Sequence, residues 1–254
     1  MGGLVFIFGL VIGSFLNVCI YRLPRRISLV KPDSFCPACG HRIPYYYNIP
    51  VISYLFLKGK CAFCDNPISP RYILVEVLTG ILSLAVYGKF GLSPAFGFYL
   101  ILVYFLIVIS FIDLTTQLIY NRVLIYLLLF GVVYNLFLPV VDWWSALAGV
   151  LAGGGSLMFF AMLGQLLFRK ESMGMGDVKF AAVLGFFLGW KLILLALFSG
   201  FVYAVIGIVL IKLIKKYPKA EYIPMAPFLT IGVLTFVFWG SRIWEWYWSG
   251  IWGL

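Results

Sequence analysis

The chain has 254 residues, 63% of them hydrophobic and only 11% charged, with a formal net charge of +10. Soluble domains carry about 25% charged residues, so this composition excludes a water-soluble globular fold. The positive balance points away from nucleic acid, because in a membrane protein lysine and arginine gather in cytoplasmic loops.

Apolar runs predict an all-α polytopic membrane protein with eight transmembrane helices, at about 4–21, 71–88, 95–113, 118–138, 143–168, 177–189, 191–212 and 223–243. Most reach the ~20 residues that cross ~30 Å of hydrocarbon. The first run ends in Arg22, Arg25 and Arg26 rather than a small-residue cleavage site, so residues 1–21 read as a retained first span.

Residues 22–70 form the only sizeable polar piece. It carries Cys36-Pro37-Ala38-Cys39 and Cys61-Ala62-Phe63-Cys64, with 21 residues between the pairs. That spacing predicts a structural zinc site closed by Cys36, Cys39, Cys61 and Cys64. A segment this short and polar buries little surface, so a metal staple suits it. Disulfides are disfavoured in a cytoplasmic loop. His41 is an alternative ligand, and Cys19 reads as apolar packing. The expected organisation is a first helix (1–21), a small cytoplasmic zinc-binding domain (22–70) and a seven-helix membrane domain (71–254).

Orientation follows from charge. With the N-terminus outside, all 19 lysines and arginines except Lys89, Lys191 and Arg242 fall on one side, which is then cytoplasmic. The eight tryptophans fall at or near the other face, as an outer aromatic belt. The sixth segment, 177–189, is too short to cross. Re-entry on the cytoplasmic side would move Lys212, Lys215, Lys216 and Lys219 outside, so the expectation is a span whose start is recessed by roughly 10 Å. Gly174 and Gly176 suit a buried turn at that depth.

Asp33, Asp65, Glu171 and Glu221 fall in cytoplasmic loops, and Asp142 and Glu245 at the outer face. Glu76, Asp113 and Asp177 lie in or at the ends of apolar segments, where an acid is a functional hypothesis by default. Asp113 closes the third segment and Asp177 opens the sixth, so both belong at the cytoplasmic ends of their helices. Two carboxylates that meet there share a proton. One activates water and the other protonates the departing group, which is aspartic-protease chemistry without a catalytic metal. A helix N-terminus favours the anion at Asp177, with Lys179 nearby, and a helix C-terminus disfavours it at Asp113. The first therefore reads as base and the second as acid. Each aspartate read alone is also compatible with a helix cap, Lys179 with a snorkelling surface lysine, and Glu76 with a satisfied contact between helices.

Several motifs occur in a fixed order: Gly13-Ser14-Phe15-Leu16-Asn17-Val18 with Tyr21-Arg22-Leu23-Pro24; the two cysteine pairs flanking Asn48-Ile49-Pro50-Val51-Ile52-Ser53-Tyr54-Leu55; Ile68-Ser69-Pro70-Arg71-Tyr72 followed by Glu76; Phe111-Ile112-Asp113; and Gly174-Met175-Gly176-Asp177-Val178-Lys179. Over almost its whole length the chain resembles the bacterial type IV prepilin peptidases, bifunctional leader peptidases and N-methyltransferases. The resemblance implies an enzyme of the inner membrane with catalytic Asp113 and Asp177, supported by Gly174, Gly176, Lys179 and Glu76. It implies cleavage of prepilin or pseudopilin leaders after glycine at the cytoplasmic face. It further implies methylation of the new N-terminal residue with S-adenosylmethionine at a site the sequence does not reveal, and service to a pilus or type II secretion machinery. Two stretches depart from the family pattern: Ile119-Tyr120-Asn121 stands where Ile-Pro is usual, and Ile223-Pro224-Met225-Ala226-Pro227 where a Gly-Pro pair is usual. The first is expected to touch the turn into the fourth span rather than the acid, and neither removes an ionisable group.

Rival readings are a presenilin-like intramembrane protease, a proton-coupled transporter and a non-catalytic assembly component. The zinc loop argues against the first. The second calls for acids near the midplane and paired halves, whereas here the aspartates sit at helix ends and no halves repeat.

Overall fold

The computed structural model describes residues 1–169, 173–214 and 224–252. Lys170, Glu171, Lys215, Lys216, Lys219 and Glu221, which entered the charge and loop assignments, lie outside these residues. The described residues are helical apart from loops and two isolated bridges, Phe35 with Arg42 and Lys60 with Pro67. The chain divides into two compact units, Met1–Phe96 and Gly97–Leu254.

The first unit holds α1 (Gly2–Arg22), a short α2 (Ile52–Phe56) and α3 (Arg71–Phe90). Helices α1 and α3 pack directly on one another. Small residues permit this: a Cβ on Gly13 would meet the Glu76 backbone at 2.7 Å, and one on Gly9 the Gly80 Cα at 2.8 Å. The close crossing turns Glu76 inward, and it is buried together with Thr79 and Ser83.

The second unit contains α4 (Pro94–Thr116), α5 (Asn121–Phe137), α6 (Trp143–Phe168), α7 (Met175–Ile214) and α8 (Ala226–Trp252). Helix α4 is its most buried element, with Leu102, Val103 and Leu106 fully enclosed. Helix α7 is interrupted at Gly189, at φ 71° and ψ 170°, a conformation open to glycine and strained for other residues. The interruption folds α7 into two arms against α6. The space beside Gly153 is bounded by the Ala181 carbonyl from the first arm and by Ile193 from the second. Gly149 and Gly185 bring the backbones of α6 and the first arm into direct contact. The second arm continues along α8, where Gly232 meets the Ala196 carbonyl and Gly240 approaches Leu192.

Six helices among the described residues, α1, α3, α4, α6, α7 and α8, are long and apolar enough to cross a membrane; Asn121–Phe137 is a shorter apolar helix. At one end of the second unit tryptophans gather. Trp143 meets Phe186, and Lys191 lies between Trp190 and Trp244. Asp113 and Asp177 sit at the other.

Candidate active site

Asp113 lies one turn before the end of α4 and is 5% exposed. Its Oδ2 accepts a hydrogen bond from the Ala226 N–H at 3.0 Å. Ala226 is the first residue of α8, so this carboxylate satisfies one of the orphan donors at a helix start. Below it Ser110 donates to Thr230 at 2.8 Å, which pins α4 to α8. Asp177 lies in the first turn of α7, half-buried, with its N–H bonded to the Gly174 carbonyl at 3.1 Å. The two carboxylates lie within electrostatic reach of each other.

The sequence placed Asp113 at a helix C-terminus and Asp177 at an N-terminus, and took the base and acid roles from that contrast. The contrast does not hold. Asp113 occupies the C-terminal turn of its own helix and also the N-terminus of α8, so each carboxylate has a helix N-terminus beside it. Dipoles alone therefore assign neither role.

The supporting residues act mostly through space. Neither Gly174 nor Gly176 adopts a left-handed φ. A Cβ on Gly176 would stand 3.1 Å from Ile119, and one on Gly174 3.5 Å from the Asp177 carboxylate. Lys179 donates to Asn121 Oδ1 at 3.3 Å and is exposed. Ile119, Asn121 and Ala226 all come from the two stretches where the sequence departs from the family pattern. The first stretch reaches Gly176 and Lys179, which flank Asp177, and the second supplies the N–H that Asp113 accepts. Their signal in the sequence was position, immediately after Asp113 and at the start of the last helix.

In the first unit, Cys36, Cys39, Cys61 and Cys64 bring their sulfurs within 4.8 Å of one another. Each pair is a local knuckle. Cys36 N–H bonds the His41 carbonyl at 2.9 Å, and Cys61 N–H bonds the Asn66 carbonyl at 2.9 Å. The turns close on positive φ at Gly40 (70°) and Asp65 (54°). The Asn66 N–H draws the Cys64 thiol down, but desolvation and the thiols of Cys39, Cys61 and Cys36 push it up to about 12; a divalent cation reverses that balance. His41 stacks on Phe63 with ring centroids 3.8 Å apart and is not among the clustered ligands. Cys19 is buried in α1.

Glu76 is 8% exposed. Its Oε2 accepts from the Val51 N–H at 2.8 Å and the carboxylate also takes a hydrogen bond from Ser14 on α1, so it holds both a loop backbone and the neighbouring helix. It lines a cavity of ≈ 170 Å³ with Ser14, Asn17, Tyr21, Phe35 and Tyr72.

Comparison with known proteins draws these sites together. Residues 7–90 match the Bacterial Peptidase A24 N-terminal domain and residues 100–210 the Type IV leader peptidase family. The chain is 38% identical over 276 residues to the prepilin leader peptidase/N-methyltransferase of Aeromonas salmonicida, covering 98% of this chain and 94% of that one.

The chain belongs to the type IV leader peptidase family.

Family members of the same name in Pseudomonas aeruginosa and Neisseria gonorrhoeae are 36% and 37% identical, covering 92% and 89% of this chain and 89% and 86% of theirs. No solved structure matches the chain. The two family matches fall inside the two compact units, one in each. The cysteine cluster and Glu76 thus belong to the N-terminal family region, and Asp113 and Asp177 to the peptidase region.

Proposed function

We propose that the chain is a prepilin leader peptidase and N-methyltransferase in which Asp113 and Asp177 carry out peptide hydrolysis. The observation behind this reading is their convergence from two helix ends onto one buried-to-half-buried site beside the Ala226 N–H. One carboxylate takes a proton from water as the water attacks the scissile carbonyl. The other gives a proton to the carbonyl oxygen and then to the leaving amine. Because the pair shares one proton, both roles are filled without a catalytic metal. Gly176 keeps Ile119 close, and Lys179 ties the start of α7 to the start of α5, which fixes the approach of the acids. The substrate is a prepilin or pseudopilin cleaved after glycine, and the assembly served is a pilus or type II secretion system.

Counting α5 and the two arms of α7 separately gives eight spans in the inner membrane, with the N-terminus outside and the acids at the cytoplasmic face. The tryptophan-rich end then meets the outer interface. Residues 22–70 are the cytoplasmic domain, stapled by Zn²⁺ on the four cysteines; a four-thiolate set closes the tetrahedron, so the metal is structural. S-adenosylmethionine supplies a methyl group on sulfonium sulfur. The first-unit cavity fits such a cation, since it offers the Glu76 carboxylate and the rings of Tyr21, Phe35 and Tyr72.

The test is purified protein in lipid with a prepilin substrate and labelled S-adenosylmethionine. Wild type is expected to release the leader and label the mature product. Unchanged cleavage in both Asp113→Ala and Asp177→Ala would remove the dyad from the mechanism.

A further inference from the structure

Helix α2 carries its apolar residues on the outside. Ile52, Leu55 and Phe56 are 63%, 64% and 79% exposed, whereas Ser53 is buried. The inward side is tied down. Ser53 Oγ donates to the Tyr46 carbonyl at 3.2 Å and accepts from the Ile49 N–H at 3.0 Å. Tyr54 OH reaches the Ile68 carbonyl at 3.5 Å. A helix this short is not stable by itself in water, so these tethers decide which side faces out. Positions 52, 55 and 56 share one helix face, and a fixed, exposed apolar face calls for something to cover it.

The contacts of α2 fix its level along the two long helices of the first unit. Val51, immediately before α2, donates its N–H to Glu76 at 2.8 Å. Glu76 lies five residues inside α3, which starts at Arg71, or about 7 Å along its axis. On the other side, Asn48 and Pro50 line a cavity with Ser14 and Phe15. These precede the end of α1 at Arg22 by eight and seven residues, or about 10 Å. Near that level Phe15 and Leu74 are themselves exposed apolar side chains, on helices long and apolar enough to cross a membrane. Helix α2 therefore begins alongside these helices, not beyond their ends. Its backbone suits such a place. The N–H groups of Ile49, Val51, Ile52, Ser53, Leu55 and Leu57 all have acceptors inside the protein, as backbone at lipid level requires. Charge follows the same pattern. From Ser34 to Cys64 the chain has no acid, and Lys58 and Lys60, just after α2, are exposed.

We propose that α2 is an interfacial membrane anchor. Its Ile52, Leu55 and Phe56 face is seated in the acyl region of the leaflet at the Arg22 and Arg71 ends of α1 and α3, with Lys58 and Lys60 at the anionic phosphates of that leaflet. The inference goes beyond the peptidase reading and stands independently of its chemistry. Residues 22–70 are then not a wholly aqueous domain, because one corner of them is held in lipid. Amphipathic helices bind a membrane surface by this combination of a buried apolar face and basic residues. The lysine stems run along apolar surface while their ammonium groups reach the phosphates, and each basic group adds attraction to an anionic leaflet. The level of Val51 favours lipid over a protein partner, since a partner arriving from water would have to reach past the ends of α1 and α3 to cover the face.

The experiment uses the full chain in nanodiscs of phosphatidylcholine with a minority of phosphatidylglycerol, alone and with a prepilin present. Photoreactive benzoylphenylalanine replaces Ile52, Phe56 or, on the inward side, Tyr54, and resistance of residues 22–70 to protease checks the fold of each protein. Illumination is expected to attach phospholipid at positions 52 and 56, seen by intact mass, and to give adducts within the chain at position 54. Phosphatidylglycerol is expected among the lipid adducts at about fivefold its share of the bilayer, the scale of one lysine at an anionic surface. Lys58→Asn with Lys60→Gln is expected to abolish that enrichment while the lipid adducts remain. Absence of lipid adducts at both 52 and 56 overturns the proposal, as do adducts to a second copy or to the prepilin in their place. Equal lipid labelling at 54 and 56 also overturns it, since α2 would then have no lipid-facing side. An enrichment that survives the loss of both lysines overturns their assignment to the phosphates. The labelling needs no turnover, so failure here is separate from failure to cleave a prepilin.

Discussion

Four cysteines between positions 36 and 64 meet through two knuckles, each closed by backbone hydrogen bonds spanning a few residues. Asp113, Asp177 and the Ala226 N–H instead meet through three helices, α4, α7 and α8. The first arrangement is local, and metal affinity can finish it whatever the rest of the chain does. The second exists only when α6, both arms of α7 and α8 pack correctly, and interiors at native density transmit small displacements. The two regions should therefore respond differently to the same size of perturbation.

The largest effect is expected at the acids. Asp113→Asn or Asp177→Asn should lower leader cleavage by about 10⁴-fold, measured with purified enzyme in lipid, while zinc content stays at the wild-type level. Next comes the helix contact that places Asp177. Gly149→Val has no room against the Gly185 carbonyl, so it should destabilise the second unit by about 3 kcal/mol. Thermal unfolding in detergent reads this, and the cysteine knuckles should again keep their metal. Ala226→Pro is more local. Proline is tolerated at a first helical position, yet it deletes the N–H that Asp113 accepts. A cleavage loss of about 30-fold is expected, the scale of a hydrogen bond to a charged group; an unchanged rate would detach α8 from the site.

Perturbing the first unit should invert the pattern. Cys36→Ser, or a chelator, should release the metal and open residues 22–70 to protease, followed by limited digestion and metal analysis. Cleavage should fall by less than about tenfold. A loss as deep as at the aspartates would show that the two regions are not separable in this way. The smallest effect is expected at Lys179→Ala, under about threefold in cleavage, because its bond to Asn121 is long and exposed.

The sequence alone was enough for whatever depends on local pattern. Apolar runs bounded by Pro70, Pro94, Asn121 and the Gly174–Gly176 stretch marked the helices, because burial in lipid requires continuous apolar helix. Cysteine spacing marked the four-thiol cluster, because gathering four sulfurs around one point needs two tight turns. Glu76, Asp113 and Asp177 stood out because an acid in an apolar run is costly. Tertiary structure decided the rest. The Ala226 N–H is a backbone donor, which every residue but proline has, so nothing in its identity announced that Asp113 would take it. The Ile119–Gly176 contact joins stretches 57 positions apart, and only the packed bundle sets their distance. The outward face of α2 was equally hidden. Ile52, Leu55 and Phe56 read from sequence as apolar residues fit for the core of the loop, and only the tethers on Ser53 and Tyr54 show that they are left outside.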